Sequence, residues 1–348
     1  MRKGFKVALV LTLLAVLCLP SMALAKKYNL TIQSAFPRGD LSVPLMQVIA
    51  DTLSAETNGE IKLQWFGAPE VVPPEQLMDA VKMGTIDMMQ GVGAYWAGVM
   101  PIGDVEFALP MSYNIPWKET YTDKANALRE FFFTSGYYEI IKAEYAKHGI
   151  EYIDIITAPM IILSTKPLKS LEDFKGVKIR ADGLNVEFYN LAGMQATTSI
   201  PGTETYLALK LGTIAAAEWD ISAITAMNWY EAAPYWVQGI DTLNTMSWGI
   251  NKKTFDGMSD EQKAAFKKAG QAYWDAAVKL YAGEVEVAEK LIADGKLEKV
   301  MPDQAAIDIF HNGAIKLWDQ AAGRDEASKK AVDLLKAWTA AGEASMTK

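Results

Sequence analysis

The fold class is indicated by residues 61–90, which read IKLQWFGAPEVVPPEQLMDAVKMGTIDMMQ. Ile61–Phe66 is rich in apolar and aromatic residues and predicts a strand, and Pro73-Pro74 marks a turn. A short helix through Lys82 follows, and a second strand is predicted at Ile86–Gln90. Consecutive strand–helix–strand units are typical of a parallel sheet covered by helices, so we expect an α/β protein.

The same alternation continues toward both ends of the chain. Tyr28–Ser34 predicts a strand, and the helix after it is expected to end at Asn58-Gly59. Trp117–Lys147 predicts a long helical stretch. A capping-box pattern at Ser259 starts a helix that runs toward Asp294. In the second half, strands are predicted at Met160–Thr165, Val177–Ala181, Ala196–Ile200 and Ile214–Trp219.

The composition limits the chemistry that the chain can perform. Its 348 residues include two His and one Cys, and most metal sites and nucleophilic triads depend on these two residue types. The sequence contains no dinucleotide-binding glycine motif, phosphate-binding loop or nucleophile elbow. The formal net charge of −8 weighs against nucleic acid and anionic membranes as partners. We expect about two globular domains that bind a ligand without transforming it.

The N-terminus has the pattern of an export signal. Basic residues precede the apolar run Val7–Leu19, and Ala23-Leu24-Ala25 fits a signal-peptidase site. We expect cleavage after Ala25, so that residues 1–25 are a signal peptide and the mature chain is exported and soluble. The single cysteine, Cys18, lies within that segment. The mature chain is therefore predicted to contain no disulfide bond.

A candidate ligand-binding group stands at the end of the strand predicted over Val177–Ala181. Alternation places Lys178, Arg180 and Asp182 on one face, and open α/β sheets bind ligands at the carboxyl ends of their strands. The planar guanidinium of Arg180 suits a bidentate bond to a carboxylate. From spacing alone, an ion pair between Arg180 and Asp182 is an equally good interpretation.

A second candidate cluster ends the strand predicted from Ile214. Alternation sends Glu218 and Trp219 to opposite faces, so that one would line a cleft by its side chain and the other by its backbone carbonyl. Asp220 follows, and a carboxylate there can hold an arginine, take a hydroxyl or ammonium group from a ligand, or bind a cation. The alternative is an ordinary solvated carboxylate.

Aromatic residues are concentrated near both candidate edges of the cleft. Tyr95 and Trp96 lie at the first edge, and Trp219 lies at the second. Aromatic walls exclude water from an arginine–carboxylate pair and strengthen it. We expect Trp96 and Trp219 to face one cleft with Arg180 between them, although core packing is the commoner role of tryptophan.

Three segments resemble a known family. They read LEDFKGVKIR at residues 171–180, IPGTETYLAL at residues 200–209 and GTIAAAEW at residues 212–219. They resemble the solute-binding proteins of tripartite ATP-independent periplasmic (TRAP) transporters, the DctP family. The resemblance implies a two-lobed α/β fold with central sheets, hinge strands, a long helix spanning both lobes, and a cleft that closes on an organic acid.

The resemblance also suggests where the lobes lie and what single residues do. Lobe I is expected over residues 26–158 and about 246–285, and lobe II over residues 159–245 and about 286–348. In the family, the arginine matching Arg180 grips the ligand carboxylate.

The Glu218-Trp219 pair resembles the branch that binds 2-oxo and 2-hydroxy acids, where the pair helps to hold a metal ion bridging to the ligand. That branch has Gln before Met-Gly-Gly where this chain has Pro159-Met160, so one metal ligand is missing. We therefore expect no cofactor, with a bridging cation as the alternative. Met160 is placed among the ligand-binding residues, and Asp220 is expected to address a polar group of the ligand directly.

On this basis we expect a periplasmic receptor, not an enzyme, that captures a small organic acid and delivers it to TRAP permease subunits. A 2-oxo or 2-hydroxy acid and an aromatic carboxylate are both candidate ligands. The receptor is expected to be a monomer or homodimer. The alternatives are a secreted hydrolase that uses Glu218 and Asp182 as acid and base, and a ligand-sensing subunit of a membrane receptor.

Overall fold

The computed structural model describes residues 26–346, apart from the side chain of Thr203, and shows a mixed α/β protein. The predicted signal peptide and Cys18 lie outside the described residues. Nine strands of the described chain form one sheet. In chain order they are β1 (Tyr28–Ser34), β2 (Ile61–Phe66), β3 (Met88–Gly91), β4 (Ile150–Ser164), β5 (Lys178–Arg180), β6 (Gln195–Thr197), β7 (Ala216–Asp220), β8 (Tyr235–Asn251) and β9 (Glu298–Val300).

Thirteen α-helices occur within residues 26–346, and three short 3₁₀-helices lie at Pro74–Gln76, Gly93–Trp96 and Trp229–Glu231. The α-helices are α1 (Met46–Glu56), α2 (Leu77–Met83), α3 (Ile102–Ala108), α4 (Tyr121–Thr134), α5 (Tyr137–Lys147), α6 (Leu171–Phe174), α7 (Asn185–Leu191), α8 (Gly202–Lys210), α9 (Ser222–Thr225), α10 (Lys252–Asp256), α11 (Asp260–Ala293), α12 (Gln304–Ala322) and α13 (Glu326–Ser345).

Two groups of parallel strands form the two ends of the sheet. β1 pairs in parallel with β2 and β3, and β5 pairs in parallel with β6 and β7. The 15-residue β4 and the 17-residue β8 run antiparallel to each other between these groups. β8 pairs with β3, and β4 pairs with β7. The long strands β4 and β8 therefore join the two lobes, as the resemblance implied for the hinge.

The two long strands are buried, and their polar side chains find partners inside the protein. The Thr157 hydroxyl donates to the carbonyl of Asn244 at 2.5 Å, and the Asn244 side-chain oxygen accepts from the Ala158 N–H at 3.1 Å. The Thr245 hydroxyl donates to the Glu106 carbonyl at 2.6 Å. Because a buried polar group is tolerated once it is hydrogen-bonded, these strands do not need an alternating apolar pattern.

The longest helix, α11, links the two lobes. Its 34 residues extend about 50 Å at 1.5 Å per residue. A capping box formed by Ser259 and Gln262 starts it, as the sequence predicts. α11 packs against α1 and α4 on one side of the molecule and against α9, which follows β7, on the other. Among the described helices, we find none with the length and apolar character that spanning a membrane requires.

Several elements differ from the predictions. The helical stretch predicted at Trp117–Lys147 is divided into α4 and α5 by Gly136, whose φ of 90° is left-handed. β4 begins at Ile150, well before the predicted Met160, and β3 begins at Met88 where Ile86 is predicted. Alternation does not predict β8 or β9, because buried polar residues interrupt the apolar pattern of β8 and β9 is only three residues long.

The C-terminal helix α13 packs against α12 as well as against α3 and α5. Trp338 stacks on Phe131 with ring centroids 4.6 Å apart, and the apolar face of α13 carries the fully buried Val332 and Leu335. The helix therefore contacts elements that the resemblance assigns to both lobes.

Candidate functional site

A cavity of about 410 Å³ lies where the carboxyl ends of strands from both lobes meet. A wider cleft of about 2050 Å³ adjoins it and shares several of its lining residues. Such strand ends are the usual ligand-binding edge of an open α/β sheet. The cavity is lined by Phe36, Asp40, Val92, Ala94, Tyr95, Phe107, Met160, Arg180, Asp182, Trp219, Asp220 and Asn244.

Arg180, at the end of β5, is the cation of this cavity. Its side chain is only 6% exposed, and its Nη1 forms a 2.6 Å ion pair with Asp182. The same Nη1 donates to the Glu218 carbonyl at 3.4 Å, and Nε donates to the Ile200 carbonyl at 3.5 Å. Nη2 donates no hydrogen bond to any of residues 26–346. The structure thus shows the ion pair between Arg180 and Asp182, while a bond from Arg180 to a ligand carboxylate stays a prediction.

The indole of Trp219 holds the guanidinium from one side. The Arg180 Cζ lies 4.6 Å from the centroid of the Trp219 ring, a cation–π contact. Trp219 also packs against Trp229, with centroids 5.7 Å apart. Gly202 makes room for the ring, since a Cβ on Gly202 would stand 2.5 Å from it. Trp219 thus restricts Arg180 to one orientation before any ligand arrives.

Glu218 faces away from the ligand cavity. It contributes only its backbone carbonyl to Arg180, while its carboxyl lines a second cavity of about 230 Å³. There Oε1 accepts from Asn185 Nδ2 at 2.7 Å and from the Tyr189 hydroxyl at 3.2 Å, and Oε2 is buried without a partner. Burial raises the pKa of the Glu218 carboxyl to about 8, and the charge of Asp182 adds to the effect.

This placement does not fit the metal site that the resemblance suggested. The Glu218 carboxyl and the Trp219 ring lie at different cavities, and the thioether Met160 lines the ligand cavity. Within the part of the chain that the structure describes, no group of three or more His, Cys, Asp or Glu is arranged to hold a metal ion. The hydrolase alternative requires the Glu218 and Asp182 carboxyls at one cavity, whereas Asp182 lines the ligand cavity and Glu218 lines the second cavity.

Two buried carboxyl groups line the ligand cavity. Asp220, at the end of β7, is 6% exposed, and its Oδ1 accepts from the Ser222 N–H at 2.8 Å. Burial raises the pKa of Asp220 to about 7, and the charges of Asp40 and Glu284 act in the same direction. Asp40, 1% exposed, accepts from the Ser42 N–H and hydroxyl at 2.8 and 2.6 Å. Burial raises the pKa of Asp40 as well.

Tyr95 and Met160 lie at the cavity, as predicted from the sequence. Tyr95 meets Phe36 edge to face, with centroids 6.1 Å apart. The Met160 sulfur accepts a hydrogen bond from Asn244 Nδ2 at 3.2 Å. Phe36, Asp40 and Asn244 also line the cavity and were not predicted from the sequence. Phe36 and Asp40 follow the strand predicted at Tyr28–Ser34, and their place after that strand was the available signal.

Trp96 does not line the cavity, contrary to the prediction. It is 3% exposed, and its indole N–H donates to the Tyr145 hydroxyl at 2.9 Å. Tyr145 in turn donates to the buried carboxylate of Glu106 at 2.6 Å. Gly93–Trp96 forms a 3₁₀-helix, in which successive side chains point about 120° apart. Tyr95 therefore reaches the cavity while Trp96 turns into the core.

Comparisons with known proteins agree with this architecture. Residues 35–325 match the family profile DctP, described as bacterial extracellular solute-binding protein, family 7. A monocarboxylate 2-oxoacid-binding periplasmic protein from Nostoc sp. is 25% identical over 301 residues, 84% of this chain and 79% of that protein. The ectoine-binding periplasmic protein TeaA from Halomonas elongata is 22% identical, over 78% of this chain and 76% of that protein.

Solved structures show the same fold. An open, ligand-free TRAP periplasmic solute-binding protein from Rhodobacter sphaeroides is 25% identical, with a TM-score of 0.69, and the match covers 89% of this chain and 97% of that one. A TRAP solute-binding protein from Pseudoalteromonas atlantica, with bound sodium and pyruvate, has a TM-score of 0.79 at 20% identity over 92% and 96% of the two chains. The chain therefore belongs to family 7 of the bacterial extracellular solute-binding proteins, the DctP family, and is a periplasmic solute-binding receptor of the TRAP transporter type.

Proposed function

We propose that this receptor captures a small organic acid in the cavity between its lobes, with Arg180 as the group that binds the ligand carboxylate. The proposal rests on the burial and the contacts of the Arg180 guanidinium. The guanidinium is buried at the cavity, fixed by Asp182 and Trp219, and left with an unshared Nη2 among the described residues. A charge-assisted bond to a carboxylate would use that free donor.

The ligands of related proteins support an acid. A relative from Escherichia coli is named for binding 2,3-diketo-L-gulonate, and one from Vibrio cholerae for sialic acid. Similar solved structures hold pyruvate or β-D-galacturonate. In this chain the four aromatic residues of the cavity, Phe36, Tyr95, Phe107 and Trp219, would suit a ligand with an apolar or aromatic body beside its carboxylate.

The remaining parts of the proposal concern the setting of the receptor. Export with cleavage after Ala25 fits the periplasmic location of the family. We place residues 26–158 and about 246–285 in lobe I, and residues 159–245 with about 286–348 in lobe II, because this division keeps each group of parallel strands together. The loaded receptor would deliver its ligand to TRAP permease subunits, as either a monomer or a homodimer.

The test is a titration of purified receptor with a panel of organic acids, followed by thermal shift and calorimetry. Removing one partner of a buried charge pair costs about 2–5 kcal/mol, so Arg180→Ala should weaken the best acid by roughly 30-fold or more. Lys178→Ala, which removes an exposed cation from the same strand, is the matched control and should bind normally. Equal affinity of wild type and Arg180→Ala would show that Arg180 does not hold the carboxylate.

A further inference from the structure

The ligand cavity contains two carboxyl groups without a cationic partner in the described part of the chain. Asp40 and Asp220 are both more than nine-tenths buried, and each uses Oδ1 to accept from a serine two residues further on. No hydrogen bond from residues 26–346 reaches Oδ2 of either residue, although both line the cavity. A buried carboxyl without a partner costs free energy, which a ligand group of opposite charge can offset.

Arg180 does not supply the missing positive charge. Its ion pair is with Asp182, and within residues 26–346 no nitrogen of Arg180 comes within 4.0 Å of an oxygen of Asp40 or Asp220. Asp40 and Asp220 line the same cavity, and the charge of Asp40 contributes to the raised pKa of Asp220. The cavity therefore has a cationic group at Arg180 and a separate anionic pair at Asp40 and Asp220.

The aromatic lining suits a cation at this end. The rings of Phe36, Tyr95 and Phe107 line the same cavity as the two carboxyls, and the faces of aromatic rings attract positive charge. A cationic ligand group favours the ionised form of Asp40 and Asp220 and can pair with it, which a ligand that is only an anion cannot do.

We propose that the natural ligand is a zwitterion, an organic acid with a protonated nitrogen, whose carboxylate binds Arg180 and whose nitrogen binds between Asp40 and Asp220. This inference rests on the proposed role of Arg180. It assigns the two aspartates as the residues that select amino-bearing acids over plain acids.

Matched ligand pairs test the inference. The probes are L-alanine with propionate, γ-aminobutyrate with butyrate, and L-phenylalanine with 3-phenylpropionate, together with cyclic and N-methylated amino acids. Thermal shift identifies the binders and calorimetry measures their Kd. We expect the best zwitterion to bind at least tenfold more tightly than the acid of the same skeleton without nitrogen. A plain acid that binds as well as its amino partner, or a panel in which no zwitterion binds, overturns the inference.

Variants separate this inference from the role of Arg180. Asp40→Asn and Asp220→Asn keep an oxygen for the serine hydrogen bonds, and each should weaken the zwitterion at least tenfold while leaving or strengthening the plain acid. Asp79→Asn, an exposed control, should change neither. If Arg180→Ala abolishes binding but the two Asn variants bind the zwitterion normally, the carboxylate site stands and the zwitterion inference fails. If Arg180→Ala also binds normally, both proposals fail.

Discussion

Replacement of Glu218 by glutamine should stabilise the protein in a pH-dependent way. The carboxyl of Glu218 is 3% exposed and has a pKa of about 8, raised from an ordinary 4.5 mainly by burial. At neutral pH it is therefore protonated in the folded protein and ionised in the unfolded chain. The folded state binds the proton more tightly, so stability falls as pH rises from about 4.5 to about 8.

The magnitude follows from the shift in pKa. Each unit corresponds to about 1.4 kcal/mol, and pH 7 lies 2.5 units above the ordinary value of 4.5. Glu218 therefore lowers the free energy of unfolding at pH 7 by about 3 kcal/mol relative to a group that does not titrate. Glu218→Gln removes this penalty and retains an oxygen to accept from Asn185 and Tyr189. The gain should vanish near pH 4.5 and grow toward pH 8.

Urea unfolding of wild type and Glu218→Gln at pH 5, 7 and 8 measures this effect. Glu119→Gln, at an exposed position, is the control for removal of a negative charge. A difference that does not change with pH, or a variant less stable than wild type at pH 8, would refute the reasoning. Affinity for the ligand should change by less than about threefold, because the carboxyl lies outside the ligand cavity. Loss of ligand affinity would instead show that the Glu218 carboxyl contacts the ligand.

Two further predictions concern the ligand cavity and its surroundings. The affinity for a zwitterion should fall below pH 7, by up to tenfold per pH unit. Asp220 has a pKa of about 7 beside Asp40 and Glu284, and it must ionise to pair with a cation. Calorimetry at pH 5.5 and 8 checks this prediction, and equal affinities would contradict it. Trp96→Phe should lower the free energy of unfolding by about 1–3 kcal/mol, because it removes the hydrogen bond to Tyr145 and leaves space in the core. Ligand affinity should stay unchanged. Weaker binding at unchanged stability would show that Trp96 contacts the ligand.

Local sequence signals predicted the regular parts of the fold well. β1 and β2 have the predicted bounds, and α11 starts at the predicted capping box. β8 could not be predicted in this way. Its polar residues, among them Asn244, Thr245 and Ser247, are buried because β3, β4 and α3 surround them. Only the tertiary structure supplies the partners that make such a strand possible.

The residues of the candidate site also divide into those that the sequence predicted and those that it did not. Arg180, Trp219 and Asp220 lie at the carboxyl ends of predicted strands, and this position was enough to bring them to one edge of the sheet. Asp40 comes from an irregular segment after β1, and its position depends on β1 lying beside β3 in the sheet. The 3₁₀ turn after β3 decides which aromatic residue enters the cavity. Neither feature has a periodic signature in the sequence.

The distribution of the polar groups links recognition to closure of the cleft. Arg180, Trp219 and Asp220 belong to lobe II, whereas Asp40 and Tyr95 follow strands of lobe I. A plain acid held by Arg180 would meet lobe I through aromatic rings such as Phe36 and Tyr95. A zwitterion that also reaches Asp40 would add a charged contact that forms only when the lobes are together. Because a ligand shifts an equilibrium only by its difference in affinity for the two states, the nitrogen would add to the free energy that favours closure.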